Sequence, residues 1–323
     1  MIPPPAWAAP HRSAWRKRAG RPPGKRNRVA RNFFKSKGDP GSLPSRYPEP
    51  VREGDGPGTA RLFQHQRVAE GYASARPYLH PEIFALVGEQ LGVQGRLGRA
   101  LDVGCGTGLS SRALRAVARR VVGADASLEM LRSARKEPGV SYAAATGEAL
   151  PFRDGAFDLI VACGSIDWID RTRFLPRAAA ILAAGGFLVA LDFGDSCRAP
   201  ELPGLERWHQ EVFRRRFPRP PAADPMITDA EASANGFTPP ATRSYASSWP
   251  FDAAEYAAFL MTESSVIAAV EYGSERATDV RAWLGAELFA LFGDGTHRVE
   301  FTGYVQALRK VSTPAGPRAP SPS

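Results

Sequence analysis

The residues best placed for chemistry lie within Arg99–Ser110, R-A-L-D-V-G-C-G-T-G-L-S. Ala100, Leu101 and Val103 read as a short buried strand, with Asp102 near its carboxyl end. Gly104, Gly106 and Gly108 then turn the chain, and Leu109–Val117 resumes with helical spacing. A strand, a glycine turn and a helix start bring backbone N–H groups and a positive dipole end to one point in space. Glycine serves there because a Cβ would block the turn or a ligand lying on the backbone. A second acid, Asp125, ends the next strand about 20 residues on, the place where a carboxylate holds ribose hydroxyls. The dinucleotide fingerprint needs G-x-G-x-x-G. Here the spacing is G-x-G-x-G and Leu109 stands where the third glycine would fall, which argues against a nicotinamide oxidoreductase.

Such a corner needs a scaffold. Strands are expected at Ala100–Asp102, Val121–Ala124, Val140–Ala144, Phe157–Ala162 and Phe187–Phe193. Helices are expected at Gln66–Tyr72, Pro81–Leu91, Leu109–Val117, Ser127–Lys136 and Phe174–Leu182, with a turn at Gly185–Gly186. Strands separated by helical stretches of about ten to fifteen residues imply right-handed βαβ units and a parallel sheet. Ligands of such sheets bind beyond the carboxyl ends of the strands. Further on, Leu205–Phe217 reads as a helix with a solvated polar stripe of Arg207, His209, Arg214, Arg215 and Arg216. Thr238–Trp249 reads as an edge strand, Asp252–Met261 and Asp279–Phe292 as helices, and Arg298–Leu308 as a terminal strand suited to antiparallel addition. The aromatic residues Trp208, Phe213, Trp249, Phe251, Tyr256 and Phe259 can wall an acceptor pocket, but most read better as core of the added helices.

The D-x-G-x-G-x-G corner followed by a strand-ending acid resembles class I S-adenosylmethionine-dependent methyltransferases, and the resemblance runs over about residues 60–310. Val122–Leu131 (V-G-A-D-A-S-L-E-M-L) is similar to the family's second motif. Ala145–Phe152 (A-T-G-E-A-L-P-F) is similar to its G-D-A-E-x-L-P-F segment. Phe157–Asp170 is similar to its strand-four motif. The Y-x-x-x-R-P-Y loop at Tyr72–Tyr78 and the D-W-I-D run at Asp167–Asp170 resemble the trans-aconitate methyltransferase-like branch, where the run reads H-W-F-D. The resemblance implies an α/β fold: a Rossmann-like sheet, parallel with a C-terminal antiparallel strand, helices on both faces and a helical lid. It implies S-adenosyl-L-methionine as cofactor, held by Asp102, Gly104, Cys105, Gly106, Gly108, Asp125, Ala126, Met130, Thr146, Gly147, Glu148, Cys163, Tyr72 and Arg76. By that match Asp125 takes the ribose and Met130 lies near the adenine. Thr146 replaces an aspartate and keeps a hydroxyl without the charge.

Methyl transfer asks little of a protein. Aligning nucleophile, methyl carbon and sulfur can lower the barrier by perhaps ~7 kcal/mol or more. A base helps only when the nucleophile enters protonated. Asp167 is the candidate base, weighed against a role as helix cap or surface carboxylate. A carboxylate acceptor would need no base and would make Arg76 the important cation. Cys163 reads as a small packed residue.

Composition bounds the rest. Of 323 residues, 43% are hydrophobic, and no apolar run reaches the length of a membrane span. The net charge is +9, but residues 1–58 hold 13 of the 42 Lys/Arg and 4 of the 33 Asp/Glu, leaving 29 of each in the remainder. The basicity therefore belongs to a Pro/Gly/Arg-rich arm, read as disordered and dispensable, with a transit peptide or a nucleic-acid-binding arm as the other readings. The neutral body argues against nucleic acid as substrate. Three cysteines without a CxxC pair fit a reducing, cytoplasmic setting and no structural metal. The expected organisation is an arm (1–58), a methyltransferase domain (59–311) with a lid insertion (195–296), and a tail (312–323). A monomer or homodimer acting on a small-molecule acceptor is expected. RNA or protein methylation, and cofactor binding without catalysis, are the competing functions.

Overall fold

Which face of each strand is buried follows from alternation at period two. In the computed structural model, residues 60–311 are described except 221 and 274; the arm and tail readings fall outside them. The parallel strands are β1 (Leu97–Val103), β2 (Ala118–Asp125), β3 (Val140–Ala144), β4 (Phe157–Cys163) and β5 (Leu182–Asp195), followed by β6 (Ala241–Phe251) and β7 (His297–Arg309). They form one sheet in the order β3-β2-β1-β4-β5-β7-β6. β7 runs antiparallel between β5 and β6, so the terminal strand is internal and β6 takes the edge.

Ala100, Val121, Leu159, Val161, Val189 and Leu191 face one core, shared with Ile83, Phe84 and Val87 of a helix. Their neighbours Leu101, Val103, Ile160, Ala162, Leu188 and Ala190 face the other, packed on Phe174, Leu175, Ala178 and Ile181. The helices are α1 (Gln66–Ala75), α2 (His80–Leu91), α3 (Leu109–Ala113), α4 (Leu128–Arg132), α5 (Arg171–Ile181), α6 (Leu205–Trp208), α7 (Arg214–Arg216), α8 (Asp229–Ala234), α9 (Ala253–Leu260), α10 (Ser264–Glu271) and α11 (Ala277–Phe292). Helices on both faces of a mainly parallel sheet make the expected doubly covered α/β fold. Among the described residues no single helix is long and apolar enough to cross a membrane.

Several local expectations are corrected. Gly185–Gly186 does not separate helix from strand. It lies inside β5, where Gly185 has φ +70° and the β4 register shifts between Phe157 and Leu159. The helix after Ser127 ends at Arg132, because Ser133 N–H closes onto the Glu129 and Met130 carbonyls and the chain must enter β3 at Val140 past Pro138. The 205–217 helix is interrupted by a π turn at His209–Phe213. Its polar stripe is solvated only at Arg207 and Arg215, which are exposed. His209 is buried, Arg214 pairs with Glu263, and Arg216 pairs with Glu275 over the Trp283 ring. The helices α8 and α10 were not expected. Trp208, Phe213, Phe251, Tyr256 and Phe259 are buried core residues, as the preferred reading had it.

Candidate functional site

The glycine corner is built by what a side chain would strike. At Gly104 (φ +69°) a Cβ would come 2.5 Å from Ser165 Cβ, so the chain after β4 can close over β1 only because residue 104 has none. Ser165 Oγ then donates to the Val103 carbonyl at 2.7 Å. At Gly108 (φ +78°) a Cβ would collide with the Tyr142 hydroxyl. At Gly106 (φ +54°) a Cβ would meet nothing within 4 Å. Gly104 and Gly108 are thus spent on packing, and Gly106 presents bare backbone to open space.

The two acids do different work. Asp125 Oδ2 accepts the Gly106 N–H at 2.7 Å and Oδ1 accepts the Ser127 N–H at 2.8 Å. Burial pushes its carboxyl up while those two N–H groups oppose the rise. Asp102 turns beneath the corner and is fully buried. Its Oδ2 accepts from Ser110 and Ser111 Oγ, both at 2.6 Å, and Oδ1 has no partner. Burial raises it to about 6 against the pull of the two hydroxyls, with a smaller push from Asp125. Cys105 is buried beside both acids, and burial drives its thiol well up, so it stays neutral.

A roof covers this end of the sheet. Ser127 Oγ donates to the Phe63 carbonyl at 2.7 Å, tying Ala60–Phe63 to the start of α4. The Phe63 ring packs edge-on against Tyr72 and Trp168, each at 5.7 Å. Met130 is buried in a cluster with Leu62, Val68 and Ile267, so its side chain packs into the roof. Ala126 and Thr146 are exposed beside it, Gly147 is buried against Ile169, and Glu148 accepts the Asp170 N–H at 2.9 Å.

Beyond β4 and β5 lies a second cluster of polar groups. Arg76 Nη2 donates to Tyr72 Oη at 2.9 Å and to the Thr262 carbonyl at 2.8 Å, and it lies 3.7 Å from Glu263. Its Nε is buried without a partner. Glu263 also takes Arg214 at 3.5 Å, and despite burial these cations hold its carboxyl below the usual range. Asp167, on the turn Ile166–Trp168, is half-buried, and burial raises its carboxyl. Cys163 is half-buried with its thiol pushed well up, which suits the packed role. Sequence reasoning missed Asp192, Asp195 and Glu263. The signal for the first two is the D-F-G-D run that ends β5, beyond the loops after the first four strands.

Asp125 and the bare Gly106 backbone meet at the carboxyl ends of β1 and β2, with Asp102 buried beneath them. A polar, cationic nucleoside fits that donor set. The sheet order and corner define a Rossmann-like class I methyltransferase fold. Residues 101–190 match the family model described as "Methyltransferase domain". It is 40% identical over 103 residues to a demethylmenaquinone methyltransferase of Thermus thermophilus, covering 29% of this chain and 47% of the relative. It is 37% identical over 106 residues to a trans-aconitate 2-methyltransferase of Variovorax paradoxus, covering 32% and 40%. A structure from Anaeromyxobacter dehalogenans, described as that of a candidate type II methyltransferase, superposes with a TM-score of 0.56 at 23% identity. It covers 72% of this chain and 97% of that one. The chain spans about half the length of the first curated relatives it matches.

Proposed function

We propose that this protein transfers a methyl group from S-adenosyl-L-methionine to a small-molecule acceptor by in-line displacement. The observation that carries the reading is the corner itself: a glycine backbone open at Gly106, its N–H fixed by Asp125, within a methyltransferase domain. The donor supplies an electrophilic methyl on a sulfonium whose leaving group is a neutral thioether. The Gly104–Gly108 backbone would hold its amino-acid part, with Asp102 and Cys105 bracing the turn from below. Asp125, with lone pairs left on both oxygens, would take the ribose hydroxyls, beside Ala126 and Met130. Thr146, Gly147 and Glu148 would flank the base, and Cys163, Tyr72 and Arg76 the methyl side. The roof at Ala60–Phe63 would keep water off the sulfonium, where desolvation strengthens every charge contact. Asp167 faces the same end of the sheet and is the candidate the sequence offers for handling a proton.

Calorimetry with S-adenosylhomocysteine tests this reading. Micromolar binding by the intact chain, lost in Asp125→Ala, is expected. A chain that ignores the nucleoside at millimolar concentration would overturn it.

A further inference from the structure

Asp192 stands on β5 one residue past the Cys163–Leu191 pair that closes the β4 register. Its Oδ1 lies 3.2 Å from where a Cβ on Gly164 would be, and Gly164 has φ +61°. The missing side chain at 164 therefore leaves the carboxyl open toward the end of β4, next to the corner. Oδ1 accepts the Phe193 N–H at 2.7 Å. Among the described residues Oδ2 has no hydrogen-bond partner, and it is not sealed from solvent.

The neighbouring acids are differently committed. Asp195 spends Oδ1 on the Cys197 N–H at 2.6 Å and Oδ2 on the Tyr256 hydroxyl. Glu263 is neutralised by two arginines. Asp167 is itself raised by burial, with its own backbone N–H and the charge of Arg171 opposing the rise. Asp192 is raised to about 7, first by burial and next by the charge of Asp167, with Glu263 adding to the rise and Arg76 opposing it. The remaining titratable neighbours are Tyr72 on α1, Tyr245 on β6, Tyr304 on β7, Cys163 on β4 and Arg219 after α7; burial lifts the phenols and the thiol, so all four stay neutral. A carboxyl that titrates near neutrality can both take and return a proton under working conditions.

We propose that Asp192 Oδ2 is the general base of this site, and that the acceptor is a neutral molecule methylated on an alcohol or phenol oxygen. The proposal rests on the methyl-transfer reading above. The acceptor O–H bond breaks and its proton passes to Asp192. The oxygen pair forms the new bond to the methyl carbon, and the pair of the broken carbon–sulfur bond stays on sulfur. Asp192 later gives the proton to water. A carboxylate acceptor would bring Asp192 no proton to take, and Arg76, the cation that would hold it, already serves Glu263, Tyr72 and Thr262.

Carbon-13 NMR of protein labelled at the aspartate carboxyls, with Asp192→Asn to assign the resonance, reads the base without needing turnover. In the presence of S-adenosylhomocysteine, Asp192 is expected to titrate near neutrality and to move down in Asp167→Asn. A midpoint in the ordinary range, below about 5, or one unmoved by Asp167→Asn, would overturn the proposal. Transfer of labelled methyl from S-adenosylmethionine to phenol and to 4-nitrophenol is the second arm. Asp192→Asn should slow the phenol reaction ~10²–10⁴-fold and spare 4-nitrophenol, which arrives largely ionised at pH 8. Benzoate methylated equally well by both proteins would overturn it. Should S-adenosylhomocysteine fail to bind by calorimetry, the methyl-transfer reading fails, while the Asp192 titration still reports on the residue itself.

Discussion

Asp102 and Asp125 look alike in sequence, each an acid near the end of a parallel strand, and both read as candidate site residues for that reason. Sequence does not show which way they face. Asp125 holds open backbone, whereas Asp102 is sealed under Ser110 and Ser111. The variants should therefore separate. Asp125→Ala frees two N–H groups and should cost about 1–3 kcal/mol of stability along with at least ~10-fold in nucleoside affinity, as read by thermal denaturation and calorimetry. Asp102→Asn keeps the acceptor for the serines and removes a titration. The folded carboxyl sits at about 6, above an unfolded value near ~3.9, so the folded state holds the proton more tightly. Its stabilising contribution is complete below the unfolded value and disappears as pH rises through about 6. The Tm of Asp102→Asn relative to the parent should thus rise between pH 4.5 and 8; a flat difference would mean the carboxyl titrates normally.

At the scale of elements, the parallel strands were legible because apolar runs of five or so residues with glycine or acid at their ends have few other readings. Val140–Ala144 has the expected bounds. What local pattern cannot show is which distant element completes a charged side chain. The arginines on the 205–217 stretch read as a wet stripe because Glu263, about fifty residues on, is invisible to periodicity. Glu263 immediately precedes α10, and through Arg76 and Arg214 it joins that helix to α1 and α7. Each partner keeps about a fifth of its side-chain surface in contact with water, so the buried-pair cost must be discounted. Glu263→Gln should still lose about 1–3 kcal/mol, because it strands two cations. In a double-mutant cycle, Arg76→Met combined with Glu263→Gln should cost less than the two single losses added together. Strict additivity in denaturant unfolding would show that the pair is not coupled.

For the whole molecule, charge and fold are carried by different stretches of chain. Residues 1–58 account for the full excess of nine positive charges, and the rest is balanced at 29 of each sign. Long-range attraction for a polyanion scales with net charge and weakens with salt, so any such attraction should reside in the arm and leave the sheet's chemistry untouched. The described structure begins with Ala60–Phe63, and its tie from Ser127 to the Phe63 carbonyl lies beyond residue 58. A chain starting at residue 59 should therefore keep the Tm and the S-adenosylhomocysteine affinity of the full chain. On immobilised heparin the full chain should be retained at low salt and the shortened one should flow through. Loss of nucleoside binding on shortening would place part of the site in the arm and revive a role for it in presenting a charged substrate; equal heparin retention would locate a basic surface on the folded body that the residue counts do not reveal.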